Sequence, residues 1–457
     1  MSFKTCIMSL RVFITSLTRL ISMYALLSVA LFFASNANAV VDAVSDAHIH
    51  AGQTVFSIEL AGHRITRDAV IHRELRTRVG DPLDLAILRA DIQRLENLDI
   101  FSSVRVQFVD EKPGLKLIFT VREIPFAIPY FSSNVTDEDG WSFGPAIKSV
   151  NMMGRDISVA GYALFGGKTT FLLDLDYPWI TGNHVSFHLD LSRIERVNEL
   201  DDFDESSFEL SPSWGIYVGE RARARAGFSY YRFKSEQDEH TLTSDNRDHL
   251  VQIQLGLGYD SRDRWSDPHD GWLNEIEVCR TGGPLRGDGD FWTVHFDLRR
   301  FQPLRHGRTL VAAALLSLQS GQVGIDLPEY MDYHLGGSNT IRGYDVRSLG
   351  RTLYGKNQLL NTLEYRLPLL PRREYEVVGM ATNLGLSAAL FADSGIAWSA
   401  PSQLERKHIH VGWGFGLRLL APAVDMMRID VGFDTKGRWR IHIASFSKMR
   451  AQRMRMR

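Results

Sequence analysis

The chain has 457 residues, of which 23% are charged and 44% hydrophobic, and its formal charge is −2. That composition is globular, which excludes a disordered polymer, and the near-zero charge gives no global pull toward nucleic acid. The length accommodates one small domain together with one large one.

Residues 1–39 read as a secretory signal. Lys4, Arg11 and Arg19 precede an apolar run from Met23 to Ala34, and Ala37-Asn38-Ala39 supplies a small-x-small cleavage pattern. Without that segment the mature chain keeps one cysteine, Cys279, so no intramolecular disulfide can form. No later stretch is apolar for 18 residues, so an exported chain of this kind belongs either in the periplasm or in the outer membrane as a barrel. Periodicity decides between them.

After a polar linker at 40–52, residues 53–125 mix two periods. Val55–Leu60 alternates as a strand. Thr66 is expected to cap a helix carrying Val70, Ile71, Leu75 and Val79, which Gly80-Asp81-Pro82 ends. Leu85, Leu88, Ile92, Leu95 and Leu98 mark a second helix, and two strands, Val104–Phe108 and Leu115–Val121, close a β-α-α-β-β unit. From residue 126 the helical period gives way to period two. In Arg221-Ala222-Arg223-Ala224-Arg225-Ala226 a strand gathers the arginines on one face and the alanines on the other, which suits a wet lumen lining. Aromatic residues near strand ends (Tyr177, Trp179, Trp265, Trp272, Tyr354, Trp398) fit interfacial girdles. At about 20 residues per strand and connection, the segment 126–446 holds about sixteen strands. The expected architecture is mainly β: one small α+β unit, then an antiparallel transmembrane barrel closed so that no backbone edge faces lipid. A basic tail, 447–457, follows Phe446.

One connection, roughly 35 residues between Gln319 and Asn357, is too long to be idle. It contains Gly336-Gly337-Ser338-Asn339-Thr340-Ile341-Arg342-Gly343-Tyr344. With Phe391-Ala392-Asp393-Ser394-Gly395, Leu363-Glu364-Tyr365-Arg366, the hairpin Tyr259-Asp260-Ser261-Arg262-Asp263, and Tyr177-Pro178-Trp179-Ile180 before Gly182, this loop resembles the superfamily of BamA-type insertases and two-partner-secretion transporters, the bacterial surface antigen family. The unit at 53–125 then looks like a single POTRA domain. The resemblance implies a loop folded into the lumen, with Arg342 held by Asp393 and Glu364 and partly screened by water. Phe391 and Gly395 would complete the wall motif, and Gly336, Gly337, Ile341, Gly343 and Tyr344 the loop motif. It also implies client outer-membrane or secreted polypeptides as partners, a bilayer with lipopolysaccharide, accessory periplasmic or lipoprotein partners, and no nucleic acid. The alternative is a passive pore or surface antigen with the same fold. Two features depart from the family: the single POTRA-like unit, and the residues after Phe446, where such barrels usually end on an aromatic.

Other signals are weaker. Gly166-Gly167-Lys168-Thr169 lacks the first glycine of a phosphate loop, since position 162 is Tyr162, and reads as a hairpin turn. His48 and His50 lack further ligands at metal spacing. Arg286-Gly287-Asp288 is a lone tripeptide on the side away from the small unit. No nucleophile, acid–base or metal constellation stands out along the chain, so no catalytic residue, metal or cofactor is expected.

Overall fold

The computed structural model describes residues 47–136, 140–181, 184–198, 203–219, 221–345, 353–377, 380–421 and 424–445. The signal segment, Gly182, and the tail from Phe446 lie outside the described residues.

The N-terminal unit is built on three strands and two helices: β1 (Val55–Ala61), α1 (Asp68–His72), α2 (Leu85–Asn97), β2 (Phe101–Glu111) and β3 (Gly114–Glu123). β3 is central, parallel to β1 and antiparallel to β2. Its alternation puts Leu115, Leu117, Phe119 and Val121 into the core with Leu88, Ile92 and Leu95 of α2, at helical spacing. The Asp84 carboxylate caps α2, accepting from the N–H groups of Ala86 (2.7 Å) and Ile87 (3.2 Å).

The first helix is shorter than its apolar spacing predicts. It stops at His72 because buried Asp91 of α2 captures the following chain, accepting from the backbone N–H of Arg76 and Thr77 (both 2.9 Å) and from the Thr77 hydroxyl (2.6 Å). Thr66 is not its cap. Arg67 stands there, and the Thr66 hydroxyl donates to Glu123 instead (2.6 Å).

Sixteen strands form the second region. They are β4 (Ala127–Thr136), β5 (Gly140–Met152), β6 (Ile157–Gly166), β7 (Lys168–Tyr177), β8 (Val185–Val197), β9 (Asp204–Val218), β10 (Ala222–Ser235), β11 (Arg247–Asp260), β12 (Gly271–Gly282), β13 (Asp290–Pro303) and β14 (Thr309–Gln319). A long loop carries the two-residue strands β15 (Tyr333–His334) and β16 (Tyr354–Gly355). Then follow β17 (Asn357–Val377), β18 (Met380–Trp398), β19 (His410–Ala421), β20 (Val424–Phe433) and β21 (Trp439–Ser445). Each strand pairs antiparallel with its neighbour in sequence, β14 reaching β17 across the loop. Closure is where the sheet departs from expectation. β21 comes alongside β4, yet among the described residues no hydrogen-bonded ladder joins them. β21 has only seven residues, and its whole described length pairs with β20.

Alternation sorts the two faces. In β10, Arg223 and Arg225 are buried inward, Arg225 donating to Glu277 (2.8 Å), while Phe228 is exposed outward in a band with Trp214, Leu255, Leu257, Leu390 and Trp413. Arg221 leaves the expected row; it lies before the strand begins, and its guanidinium reaches the Tyr259 hydroxyl (3.4 Å). The girdle expectation also needs correcting. Trp272 lies on the outer face, but Trp179 sits under the Arg73 guanidinium (4.7 Å), Trp265 faces Arg223 (5.3 Å), and Tyr354 belongs to the folded loop. Cationic and polar neighbours at the lumen mouth claimed these rings.

The small unit is docked on one end of the sheet. Asn151 donates to the Thr66 hydroxyl (2.7 Å), Arg67 N–H to the Gly154 carbonyl (3.0 Å), and Arg73 to Asp156 (2.8 Å). Val150 of β5 enters its core, and the β11–β12 turn meets α2 through Asn97 and the Asp263 carbonyl (3.3 Å).

Candidate functional site

The long loop folds back against the inner wall. Its base is apolar: Leu335, Ile341, Tyr344 and Leu353 pack on Leu360 of β17, all nearly inaccessible. Gly336 and Gly337 take φ of 108° and 84°, and the Gly337 N–H donates to the Tyr344 carbonyl (2.8 Å), closing a tight turn around the tip.

Arg342 stands at that tip. Its guanidinium forks onto Asp393 of β18, with Nε to Oδ2 at 2.7 Å and Nη2 to Oδ1 at 2.9 Å. Nη1 donates to Glu364 of β17 (3.2 Å) and to Asp430 of β20 (3.0 Å), and the backbone N–H also meets Asp393 (3.2 Å). The Phe391 ring lies under the guanidinium, 3.4 Å from ring centroid to Cζ. Both expected partners, Asp393 and Glu364, are therefore in contact with Arg342. The expected water screening is not there: Arg342 is 2% exposed and Asp393 1%.

Sequence reasoning missed half of the cluster. Arg418 of β19 bridges Glu364 (2.6 Å) and Asp430 (2.5 Å), and Arg366 donates to Glu364 (2.8 Å). Arg428 of β20 donates to the Ser338 carbonyl and to Asn339 (3.0 Å), both in the loop. His442 of β21 accepts from the Gly343 N–H through Nε2 (2.9 Å), and Thr362 donates to Asp393 (2.8 Å). Four guanidinium groups thus share three carboxylates in one buried network. The available signal was Arg-x-Leu, Arg-x-Asp and Arg-x-His spacing in β19 to β21, which places those charges inward.

The wall that receives the tip is nearly bare. A Cβ at Gly432 would lie 2.8 Å from the Arg342 carbonyl carbon, one at Gly414 2.7 Å from the Phe391 ring, and one at Gly395 3.0 Å from Ile341. Gly343 itself takes φ of 97° against the backbone of Phe433. Glycine on both sides lets two backbones approach within direct contact. The tip consequently holds five consecutive strands, β17 to β21, the last of which borders the unladdered seam.

The other singled-out residues do not join this site. Gly166-Gly167-Lys168 forms the β6–β7 turn, with Gly167 N–H on the Trp141 carbonyl (2.7 Å). Arg286-Gly287-Asp288 lies in the β12–β13 connection, on the side away from the small unit, with Asp288 accepting from the His249 N–H (2.6 Å). His50 stacks on Phe108 (5.3 Å).

Comparison with known families matches residues 151–447 to the Omp85 superfamily domain and residues 53–124 to the surface antigen variable number repeat, the POTRA model. The chain is 24% identical over 393 residues, 81% of its length and 47% of the relative's, to the outer membrane protein assembly factor BamA of Nitratidesulfovibrio vulgaris. To that of Neisseria meningitidis serogroup B it is 22% identical, covering 77% and 48%. The chain thus spans about half the length of these curated relatives. Among solved structures, BamA from Haemophilus ducreyi lacking POTRA domains 1–3 superposes with a TM-score of 0.54 at 16% identity, covering 86% of this chain and 83% of that one. CdiB from Escherichia coli gives 0.55 at 12% identity (87% and 74%), and CdiB from Acinetobacter baumannii 0.52 at 13% (87% and 76%).

Proposed function

The chain belongs to the Omp85 superfamily, and from that premise we propose that it inserts or translocates polypeptides at the outer membrane. It is a bacterial outer-membrane protein whose POTRA domain lies in the periplasm. In this reading the POTRA domain takes an extended client segment by β-augmentation on the outer edge of β2, the longer of its two edge strands. The client then passes to the barrel. Accessory periplasmic or lipoprotein partners and lipopolysaccharide complete the proposed setting, and the chemistry is binding and guidance, not covalent catalysis.

The observation that carries the proposal is the Arg342 network. Energy from one buried guanidinium and three carboxylates is concentrated on the strands beside the seam. The loop gates the lumen and braces β17–β21 as one body, so that movement is confined to the β21–β4 border. In this reading the client leaves laterally into the bilayer at that border, where β21 comes alongside β4. A passive pore is the second reading, favoured by the polar inward face of β10 and β12.

Depletion of the chain from cells separates them. The expected result is a fall in other outer-membrane or surface-exposed proteins with small-solute permeability little changed. Unchanged protein levels with reduced solute conductance would overturn the insertion reading.

A further inference from the structure

The outward face of β8 to β11 changes character at the strand ends away from the POTRA domain. Those ends face the cell exterior, because the β11–β12 turn at the other end meets α2 in the periplasm. Along β11 the outward positions read Tyr259, Leu257, Leu255, Ile253 and Val251, and then His249 and Arg247. Along β10, in the same rows, Phe228 and Tyr230 give way to Arg232 and Lys234. Arg193 of β8 stands in the row of Arg232, with Phe208 of β9 between them. Arg232, Lys234, Arg247 and His249 are exposed, as is Arg193. The cations begin where the lipid-facing side chains end.

Two observations point to an anion at this level. The β10–β11 ladder sets Lys234 directly across from Arg247, and Arg232 directly across from His249. Like charges opposed in this way repel, and beside hydrocarbon their fields are screened less than in open water. The second observation is the placing of the acids. Among the described residues, no carboxylate forms an ion pair with Arg232, Lys234 or Arg247. Glu195 binds Arg193 from the same strand, and Asp245, beyond the end of β11, is close enough to Arg247 to feel its charge. Asp204 and Glu236 stand at the strand ends, further from the apolar band, where Glu236 accepts from the Asp204 N–H (3.4 Å). Arg280 of β12, by contrast, is paired with Asp290 and lies over Trp292. Aromatic rings steady the open cations: Arg232 lies 5.7 Å from the Phe208 ring, and the Tyr230 hydroxyl bonds His249 Nδ1 at 2.7 Å.

We propose that this belt binds the phosphorylated saccharide headgroup of lipopolysaccharide in the outer leaflet. Lys234 and Arg247 stand one ladder step apart, about 5 Å, and clasp one phosphate through charge-assisted hydrogen bonds. Arg193 and Arg232, two strands or about 10 Å apart, take a second phosphate above the Phe208 ring. The acyl chains then lie on exposed Phe228, Ile253 and Leu255 directly below. A headgroup with two phosphates and several chains uses the whole surface, whereas inorganic phosphate or a single-phosphate phospholipid uses part of it. The inference gives a site to the lipopolysaccharide named above. It rests on the outer-membrane placement of the chain and not on transport of a client, so depletion results that overturn transport leave it standing.

The test uses the folded full-length protein in non-ionic detergent with chelator, titrated with fluorescently labelled lipopolysaccharide. Wild type is expected to bind saturably. The variant Arg232→Gln/Lys234→Gln/Arg247→Gln should bind about 100-fold more weakly, since each cation beside an anionic lipid surface is worth about fivefold. Lipopolysaccharide stripped of its phosphates should bind wild type as weakly as intact lipopolysaccharide binds the variant. Resistance to unfolding in detergent verifies that the variant barrel is folded. A control that removes the same charge from the POTRA domain, Arg89→Gln/Lys112→Gln/Arg122→Gln, should bind as wild type does. Equal binding by wild type and the belt variant would overturn the proposal, and so would an equal loss in the POTRA control. Displacement by phosphatidylglycerol or inorganic phosphate at matched concentration would show a general anion surface and overturn it as well. Binding that appears only when magnesium is restored would assign the headgroup to the acidic strand ends instead.

Discussion

The POTRA core and the loop seat are equally buried and made of opposite chemistry. In the first, Val55, Ile71, Leu88, Leu115, Leu117 and Phe119 exclude water from a small domain. In the second, Arg342, Asp393, Arg418 and Asp430 are excluded from water just as thoroughly. An apolar core degrades in proportion to the methylenes removed. A charged network fails differently, because deleting one member leaves the others buried without compensation. The two regions should therefore respond to truncation with different coupling, and that difference can be measured.

The largest effect is expected at the seat. Arg342→Ala or Asp393→Ala should destabilise the barrel by about 3–5 kcal/mol, the range for breaking a buried pair from one side, and should raise pore conductance in planar bilayers. The double variant should be no worse than either single one, whereas additive losses would show that the two side chains do not act together. Leu117→Ala in the POTRA core should cost about 2–5 kcal/mol, read by denaturant unfolding of the domain, and should add to a second core truncation placed far from it. Conductance unchanged in that variant would keep the two regions separate; a rise would join them. A smaller effect, about 1–3 kcal/mol of overpacking, is expected for Gly432→Ala, whose new methyl group meets the Arg342 backbone. Conductance should rise there although no charge has changed.

The mildest test addresses the border between the regions. Burial works against the charge of Glu123, but the Thr66 hydroxyl and the N–H groups of Thr66, Arg64 and Ile65 hold its carboxyl below the ordinary range. A depressed carboxyl contributes stability that is present above its unfolded-state value and is lost as pH falls through the folded one. Because Thr66 also accepts from Asn151, acidification below the ordinary glutamate range should speed hydrogen exchange at 64–66 and at 151–154 together. Glu123→Gln should remove that pH dependence. Exchange that changes in only one of the two segments would uncouple the docking from the carboxylate.

Much of this was legible in the amino-acid order. Period two after residue 126 marks the sixteen strands, and the Gly-Gly to Arg-Gly-Tyr run marks the loop tip together with two of its wall partners. Asp430, Arg418, Arg428 and His442 escaped because single charges at alternate positions look the same whether they line water or clasp a loop. Only register distinguishes them: Asp430 lies across from Gly416 on one side and His442 on the other. The same holds for Arg232-x-Lys234 and Arg247-x-His249, whose opposition exists only once the hairpin is formed. Thr66 was misread for a related reason. Its hydroxyl has a local cap to offer, but Glu123, 57 residues away, outcompetes it.

The clasp around Arg342 also dictates an order of events. Every wall group that holds the tip comes later in the chain, from 22 residues on at Glu364 to 88 at Asp430, and Gly343 waits 99 residues for His442. Contacts of such long separation form late, since loop closure must precede them. During its own biogenesis the barrel therefore carries an unclasped, hydrated tip until the final hairpin arrives, and seating of the tip becomes a built-in proof that the last strand is in register.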